Sequence, residues 1–395
     1  MNCRVRPGKD IRRSSKLESD LNQVATTVRS RDPFLDCLKG FAIATVVLGH
    51  TFQGATSDFD HYLPFRLVYS FHMPMFMFIA GMTASLGLLS RLKDAPNFSS
   101  YVSDTGAKAL RLVVPFITWA FIKYYMGQPD GYNPATWLLH MLRSPDDGLW
   151  FLWILFQCSC VMVVVTIVAQ YVVGLLAARM PDKANDLAGY IILIVVGLIT
   201  NVLIHSGPNA LGFGMTKVYF IYFFAGAVFH SICPNGLPKT LFWTSVIFIA
   251  LAPFWYRTEM SPVALLFPKP ELINPTYQKI VAFAGTLAFV ELVRLFAAKA
   301  ASLPVQMASF VGKRSLDIYA THFYFLAYFP PVIAPLVISL GVSFLLRTNP
   351  LTSWLCFGQK PLNIWHVSRR RFSARVPSRA DVKDQAVMIS GGDGA

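Results

Sequence analysis

Charge is scarce in this sequence. Of its 395 residues 14% are charged and 54% hydrophobic, with mean hydropathy +0.47, whereas a soluble domain carries roughly a quarter charged residues. That composition argues against a soluble globular enzyme. Cysteine is sparse as well. The six cysteines, at 3, 37, 158, 160, 233 and 356, form no CxxC pair, and Cys158 and Cys160 stand about 200° apart on a helix. Neither a metal site nor a disulfide framework is implied. The 25 Gly and 25 Pro follow no period, which removes a collagen-like chain. Also missing are HExxH, the GxxxxGKS/T phosphate loop and a serine nucleophile elbow. No helical repeat and no inverted-repeat pattern of the transporter kind is visible. What remains is a polytopic membrane protein.

Acidic residues are the scarcer sign: 35 Lys and Arg against 21 Asp and Glu give a net charge of +14. Nine basic residues lie in 1–39 and eight in 347–395, leaving 18 for the 307 residues between. Clusters at the chain ends suit cytoplasmic tails beside anionic lipid better than a groove for nucleic acid. The first 33 residues hold no apolar core of signal-peptide length, so the amino terminus is expected to stay uncleaved.

A spanning helix needs about 20 mainly apolar residues. Such segments fall near 34–52, 65–89, 109–126, 149–178, 187–205, 217–232, 240–256, 280–298, 314–329 and 332–346. The expected fold is an all-α transmembrane bundle of about ten spans with both termini cytoplasmic. In that arrangement 28 Lys and Arg lie inside and seven outside, as positive-inside counting requires. Merging the last two segments across Pro330-Pro331 gives nine spans and puts the Arg369-Arg370-Arg371 tail outside, which argues against merging. The chain thus divides into a polar basic tail (1–33), a membrane domain (34–347) and a second basic tail (348–395), expected to be disordered from about 361. Outer loops at 53–64, 127–148, 206–216 and 257–279 are rich in Gly, Pro, Asn and Asp.

Ionisable side chains within spans are costly and mark candidate functional positions. The first span carries Asp36, Lys39 and His50. Lys39 and His50 are eleven residues apart, about 20° off the same helix face and roughly 16 Å along it. Asp36 can pair with Lys39 at i, i+3, and snorkelling to inner headgroups is the plainer account of that lysine. His72 entered from outside lies at a depth comparable to His50, so the two imidazoles can share a proton-transfer site. The plainer account of each is a buried imidazole hydrogen-bonded to a neighbouring helix. Pro74 is expected to loosen the second span and free carbonyls near His72. Lys108 and Arg111 open the third span from inside, where they can hold donor phosphates or simply anchor the helix. Trp150 and Trp153 read first as interface-belt anchors. Arg314 with Asp317, and Glu291 with Arg294, read as internal ion pairs, and His322 lies in a late apolar run.

The pattern resembles one family, acyltransferase family 3 of multispanning membrane O-acyltransferases, and within it the fucose 4-O-acetylase-like and nodulation-factor-acetylase-like branch. The matching text runs from Asp36-Cys37-Leu38-Lys39-Gly40-Phe41 to Leu48-Gly49-His50, then Phe71-His72-Met73-Pro74-Met75-Phe76, Lys108 to Pro115, Leu149-Trp150-Phe151-Leu152, Gly312 to His322, and Leu345-Leu346-Arg347 to Phe357-Gly358. These landmarks occur in family order across about 34–360. Each is modest alone, and the combination is specific. Two departures stand out. The residue eleven before the first histidine is usually Arg and here is Lys39, so a bidentate guanidinium contact cannot be made there. Ala80-Gly81 replaces the Ser-Gly that often follows the second histidine motif.

The resemblance implies transfer of an acyl group, usually acetyl, from cytoplasmic acyl-CoA to a sugar hydroxyl of a surface glycan or its lipid-linked precursor, in the bacterial inner membrane. Acyl-CoA is then a substrate, with no permanently bound cofactor, metal or nucleic-acid partner expected. An imidazole is suited to take the proton of a sugar hydroxyl as it attacks a thioester. His50 is the expected general base, His72 its assistant or acceptor-orienting partner, and Lys39 a donor-phosphate or charge-stabilising contact. Lys108 and Arg111 are the further donor-binding candidates, and Trp150 and His322 the acceptor-binding ones. Direct transfer and a transient acyl-histidine both fit. A transporter or flippase for a glycan or small solute is the main alternative, and an inactive scaffold the second.

Overall fold

The computed structural model describes residues 32–359 except 86–90, 93–95, 128–130, 132, 146–148, 178–181, 299–301 and 329–330. The amino-terminal tail up to 31, the carboxy-terminal tail beyond 359, Asp146 to Gly148, and Pro330 lie outside the described residues. No strand occurs among the described residues. The helices are α1 (Pro33–Gly54), α2 (Leu63–Tyr69), α3 (His72–Ala84), α4 (Phe98–Gly127), α5 (Pro134–Arg143), α6 (Trp150–Ala177), α7 (Asp182–Ser206), α8 (Phe213–Ile232), α9 (Leu241–Leu251), α10 (Pro262–Leu265), α11 (Pro270–Ala297), α12 (Leu303–Gly312), α13 (Ser315–Thr321), α14 (Ile333–Leu346) and α15 (Pro350–Phe357). Seven stretches among the described residues are long and apolar enough to cross a membrane, with shorter apolar helices at 238–254, 303–312 and 333–346.

Several helix starts are written in the local sequence. Asp32 accepts from the backbone N–H of Phe34 (2.9 Å) and Leu35 (3.4 Å) ahead of Pro33. Asn133 does the same for α5, in a reciprocal box with Thr136, and Asn349 caps α15 through Leu351 N–H at 2.8 Å. Each places a side-chain acceptor on orphan donors and proline where its missing N–H costs nothing.

Two pairs of helices approach closely because glycines face backbone. A Cβ on Gly40 of α1 would fall on the Ala308 carbonyl of α12, and one on Gly312 would fall on the Asp36 carbonyl in return. Gly81 of α3 meets the Phe223 carbonyl of α8, and Gly226 meets that of Phe78. In lipid, where burial of apolar surface gives no bias between helices, such small-residue contacts hold a bundle together. They also fix α1 and α3, the helices that carry His50 and His72.

Three expectations about the spans change. The second span is two helices, broken at Ser70 and Phe71 (φ −134°, ψ −16°), and not loosened at Pro74. Pro74 sits in the first turn of α3, where its N–H would have no intrahelical partner to lose. The segment near 314–329 is not one helix: after α12 come the seven-residue α13 and a 3-10 turn over His322–Phe325. The short α13 carries buried Asp317, whose carboxylate pairs with Arg347 Nε at 2.9 Å and accepts from the Ser343 hydroxyl at 2.7 Å, both near the end of α14. Buried charge must find such partners. Finally, α11 starts at Pro270, inside the expected outer loop.

Candidate active site

The helix α1 runs past two cavities. The first, of 240 Å³, is lined by Asp36 and Lys39 from α1, Lys108 and Arg111 from α4, and Lys313 after α12, together with Phe76, Phe151 and Gln359. Four cations thus converge on one space, supplied by three separate parts of the chain. The second, of 370 Å³, lies about eleven residues further along α1 and is lined by His50, Gln53, Tyr69, His72, Trp150, Tyr219, Arg257, Tyr319 and Phe323 among others.

An aromatic wall stands between them. Phe151 meets Phe76 edge-on (4.9 Å between centroids) and Tyr319 at 5.2 Å. Phe76 and Phe151 face the first cavity and Tyr319 the second. The Tyr319 hydroxyl accepts from the Phe151 N–H at 3.3 Å. These rings separate the cationic side from the imidazole side.

Three histidines from three elements gather on the second cavity's side. The His50 ring lies 6.2 Å from His72 and 5.4 Å from His322. Two of these rings are held by backbone carbonyls three or four residues earlier, in the helix that precedes each. His72 Nδ1 donates to the Val68 carbonyl at 3.2 Å. His322 Nδ1 donates to the carbonyls of Tyr319 (2.9 Å) and Ile318 (3.2 Å). A carbonyl only accepts, so the proton sits on Nδ1 and the Nε2 lone pair is open. Both Nε2 atoms are buried with no hydrogen-bond partner. His50 Nδ1 lies 3.4 Å from Gln53 Oε1, which accepts from the Tyr69 hydroxyl at 2.9 Å. With its proton on Nδ1 toward Gln53, His50 keeps Nε2 as a third acceptor nitrogen.

Outside the membrane-spanning helices, Asp60 fixes the second cavity's mouth. It accepts from the N–H groups of Arg257 and Thr258, each at 2.8 Å, and from the Thr258 hydroxyl. Burial pushes this carboxyl up, but hydrogen bonds from Thr258 and from the backbone of residues 257–259 outweigh it and hold the acid below its ordinary pKa. Arg257, so placed, lies 5.2 Å over the Tyr69 ring.

The geometry unites the sequence candidates in two groups. Lys39, Lys108 and Arg111 share the first cavity; His50, His72 and Trp150 share the second, with His322 against His50. Trp153 instead anchors, donating to the Leu211 carbonyl at 2.9 Å. Arg314 does meet Asp317, at 3.9 Å, but Arg347 is its nearer partner. Glu291 and Arg294 pair at 3.6 Å. Sequence reasoning passed over Lys313, Gln53, Tyr69, Tyr319 and Arg257. Lys313 stood inside the matched Gly312 to His322 text; Arg257 lies between helices, in a segment where no apolar run flags a charge. Among the described residues no group of three or more His, Cys, Asp or Glu converges as a metal site.

This arrangement accords with the comparisons with known proteins. Residues 32–358 match the acyltransferase-3 family, described as an acyltransferase domain, and the chain belongs to that family of membrane acyltransferases. Among curated proteins it is similar to Nodulation protein NolL of Sinorhizobium fredii, 32% identical over 137 residues that cover 31% of this chain and 34% of that protein. It is also similar to Nodulation protein NolL of Mesorhizobium japonicum, 27% identical over 134 residues covering 32% and 34%. The matches thus span about a third of the length of these relatives. No solved structure matches.

Proposed function

We propose that this protein transfers an acyl group, in the first instance acetyl, from acyl-CoA to a sugar hydroxyl of a surface glycan or its lipid-linked precursor. The observation that carries the reading is the pairing of a cationic cavity with an imidazole cavity along one helix, α1. Lys39, Lys108, Arg111 and Lys313 meet the donor's phosphates from the cytoplasmic side, and the acyl thioester extends toward the aromatic wall. His50 takes the acceptor hydroxyl's proton on Nε2 as the oxygen attacks the thioester carbonyl, and the CoA thiolate leaves. His72 and His322, each with an open Nε2, orient the hydroxyl or relay the proton. Family membership favours this reading over a transporter, which would use intramembrane cations and imidazoles without an acyl donor.

The test is incorporation of label from radiolabelled acetyl-CoA into glycan in membranes carrying the protein, its His50→Ala variant at equal abundance, or neither. Label that needs the protein and vanishes in the variant supports both reaction and base. Full activity in the variant removes His50 from the chemistry, and absence of transfer with every acyl-CoA supplied to a broad acceptor extract overturns the reaction.

A further inference from the structure

The imidazole cavity has a charge pattern that a neutral sugar does not call for. Among the described residues lining it, Arg257 carries the sole permanent charge, and no Asp or Glu lines it. No carboxylate among the described residues forms an ion pair with its guanidinium, which lies over the face of Tyr69 at 5.2 Å. The backbone beneath it is pinned from both sides. Asp60, 4% exposed, spends its carboxylate on the Arg257 and Thr258 N–H groups and the Thr258 hydroxyl. Gln278 donates to the Tyr256 carbonyl at 2.9 Å. The acid therefore places the arginine without neutralising it.

An arginine needed only for solubility gains nothing from such pinning. An exposed guanidinium lining a cavity is a planar fork for a carboxylate or phosphate. Tyr69, beneath it, donates to Gln53 Oε1, the oxygen next to His50 Nδ1. An anion seated on Arg257 would thus lie one side chain away from the group that positions the base.

We propose that the acceptor is an anionic saccharide, whose phosphate or carboxylate oxygens dock on Arg257 while a hydroxyl of the same molecule faces His50. This rests on the acyltransferase reading and narrows its acceptor. Two sources share the chemistry: the phosphate of a lipid-linked sugar and the carboxylate of an acidic sugar.

The experiment uses the full chain in detergent, as wild type, Arg257→Gln and Arg257→Lys, with two matched probe pairs. One is a farnesyl-diphosphate-linked hexose and the farnesyl hexoside without phosphate; the other is a glucuronate oligosaccharide and its carboxyl-reduced form. Binding is read by thermal shift and transfer by kcat/KM. The expected result is a preference of at least about tenfold for the anionic member of one pair, collapsing toward unity in Arg257→Gln and partly kept in Arg257→Lys. Which pair shows it identifies the source. Equal use and equal binding of both members of both pairs by the wild type overturns the proposal. So does a preference that survives in Arg257→Gln, or an equal fall for anionic and neutral members that leaves the ratio unchanged. If no transfer occurs but anion-selective binding depends on Arg257, the acyltransfer reading fails while the anion site stands.

Discussion

Replacing His50 by Gln removes the base while keeping a polar side chain that can still hydrogen-bond. The cost follows from the neighbouring imidazoles. His72 and His322 lie 6.2 and 5.4 Å from His50 between ring centroids, and each has its Nδ1 proton tied to a backbone carbonyl three or four residues earlier. Neither ring can swing into the vacated position without breaking that bond, so substitution is not compensated. A positioned general base contributes about 10²- to 10⁴-fold, or about 3–5 kcal/mol of barrier. We expect kcat to fall by that factor, with donor KM within about threefold of wild type, because Lys39, Lys108 and Arg111 are untouched in the other cavity. The assay is initial-rate acyl transfer by purified protein at matched concentration, with donor and acceptor titrated separately. A loss below about tenfold in kcat, or a loss confined to donor KM, refutes the assignment. So does a fully active His50→Gln beside an inactive His72→Gln, which would move the base to α3.

The remaining predictions are briefer. Lys108→Ala and Arg111→Ala should each raise donor KM by about tenfold or more, since charge-assisted hydrogen bonds are worth about 1.5–3 kcal/mol, with acceptor KM unchanged in the same kinetics. Gly226→Leu should destabilise the protein by about 1–3 kcal/mol, seen as a lower melting temperature, because any Cβ there meets the Phe78 carbonyl; a wild-type melting curve would mean α3 and α8 are free to part. Asp60→Ala should expose the 257–259 loop to protease at neutral pH. In the wild type the same protection should be present above the ordinary aspartate value of 3.8 and vanish as pH falls through the lowered folded value; protection that persists in the variant would remove the clamp. Asp317→Ala should cost about 3–5 kcal/mol by stranding buried Arg347, and the double variant with Arg347→Met should recover much of it in the same melting assay.

The class of fold and several of the candidate residues were legible in the sequence. Apolar runs of spanning length follow directly from the bilayer's thickness, so most segments were placed within a few residues. The cation and imidazole on α1 were legible because a helix has a fixed pitch, which turns eleven residues into one face and a known separation. The caps at Asp32, Asn133 and Asn349 are local too, each acceptor standing two or three residues before the N–H it takes. Tertiary structure decided everything that depends on which helices touch. The pairing of Asp317 on α13 with Arg347 after α14 joins groups thirty residues apart, beyond the reach of any local pattern. The union of Lys39 with Lys108, Arg111 and Lys313, and of His50 with His72 and His322, depends on how separate helices pack, as in the close glycine contacts of α1 with α12 and α3 with α8. Arg257 was the least visible of all: it is an ordinary loop arginine until Asp60, almost two hundred residues earlier, takes hold of its backbone. Pitch and hydropathy are properties of a segment, whereas a site is a property of packed neighbours.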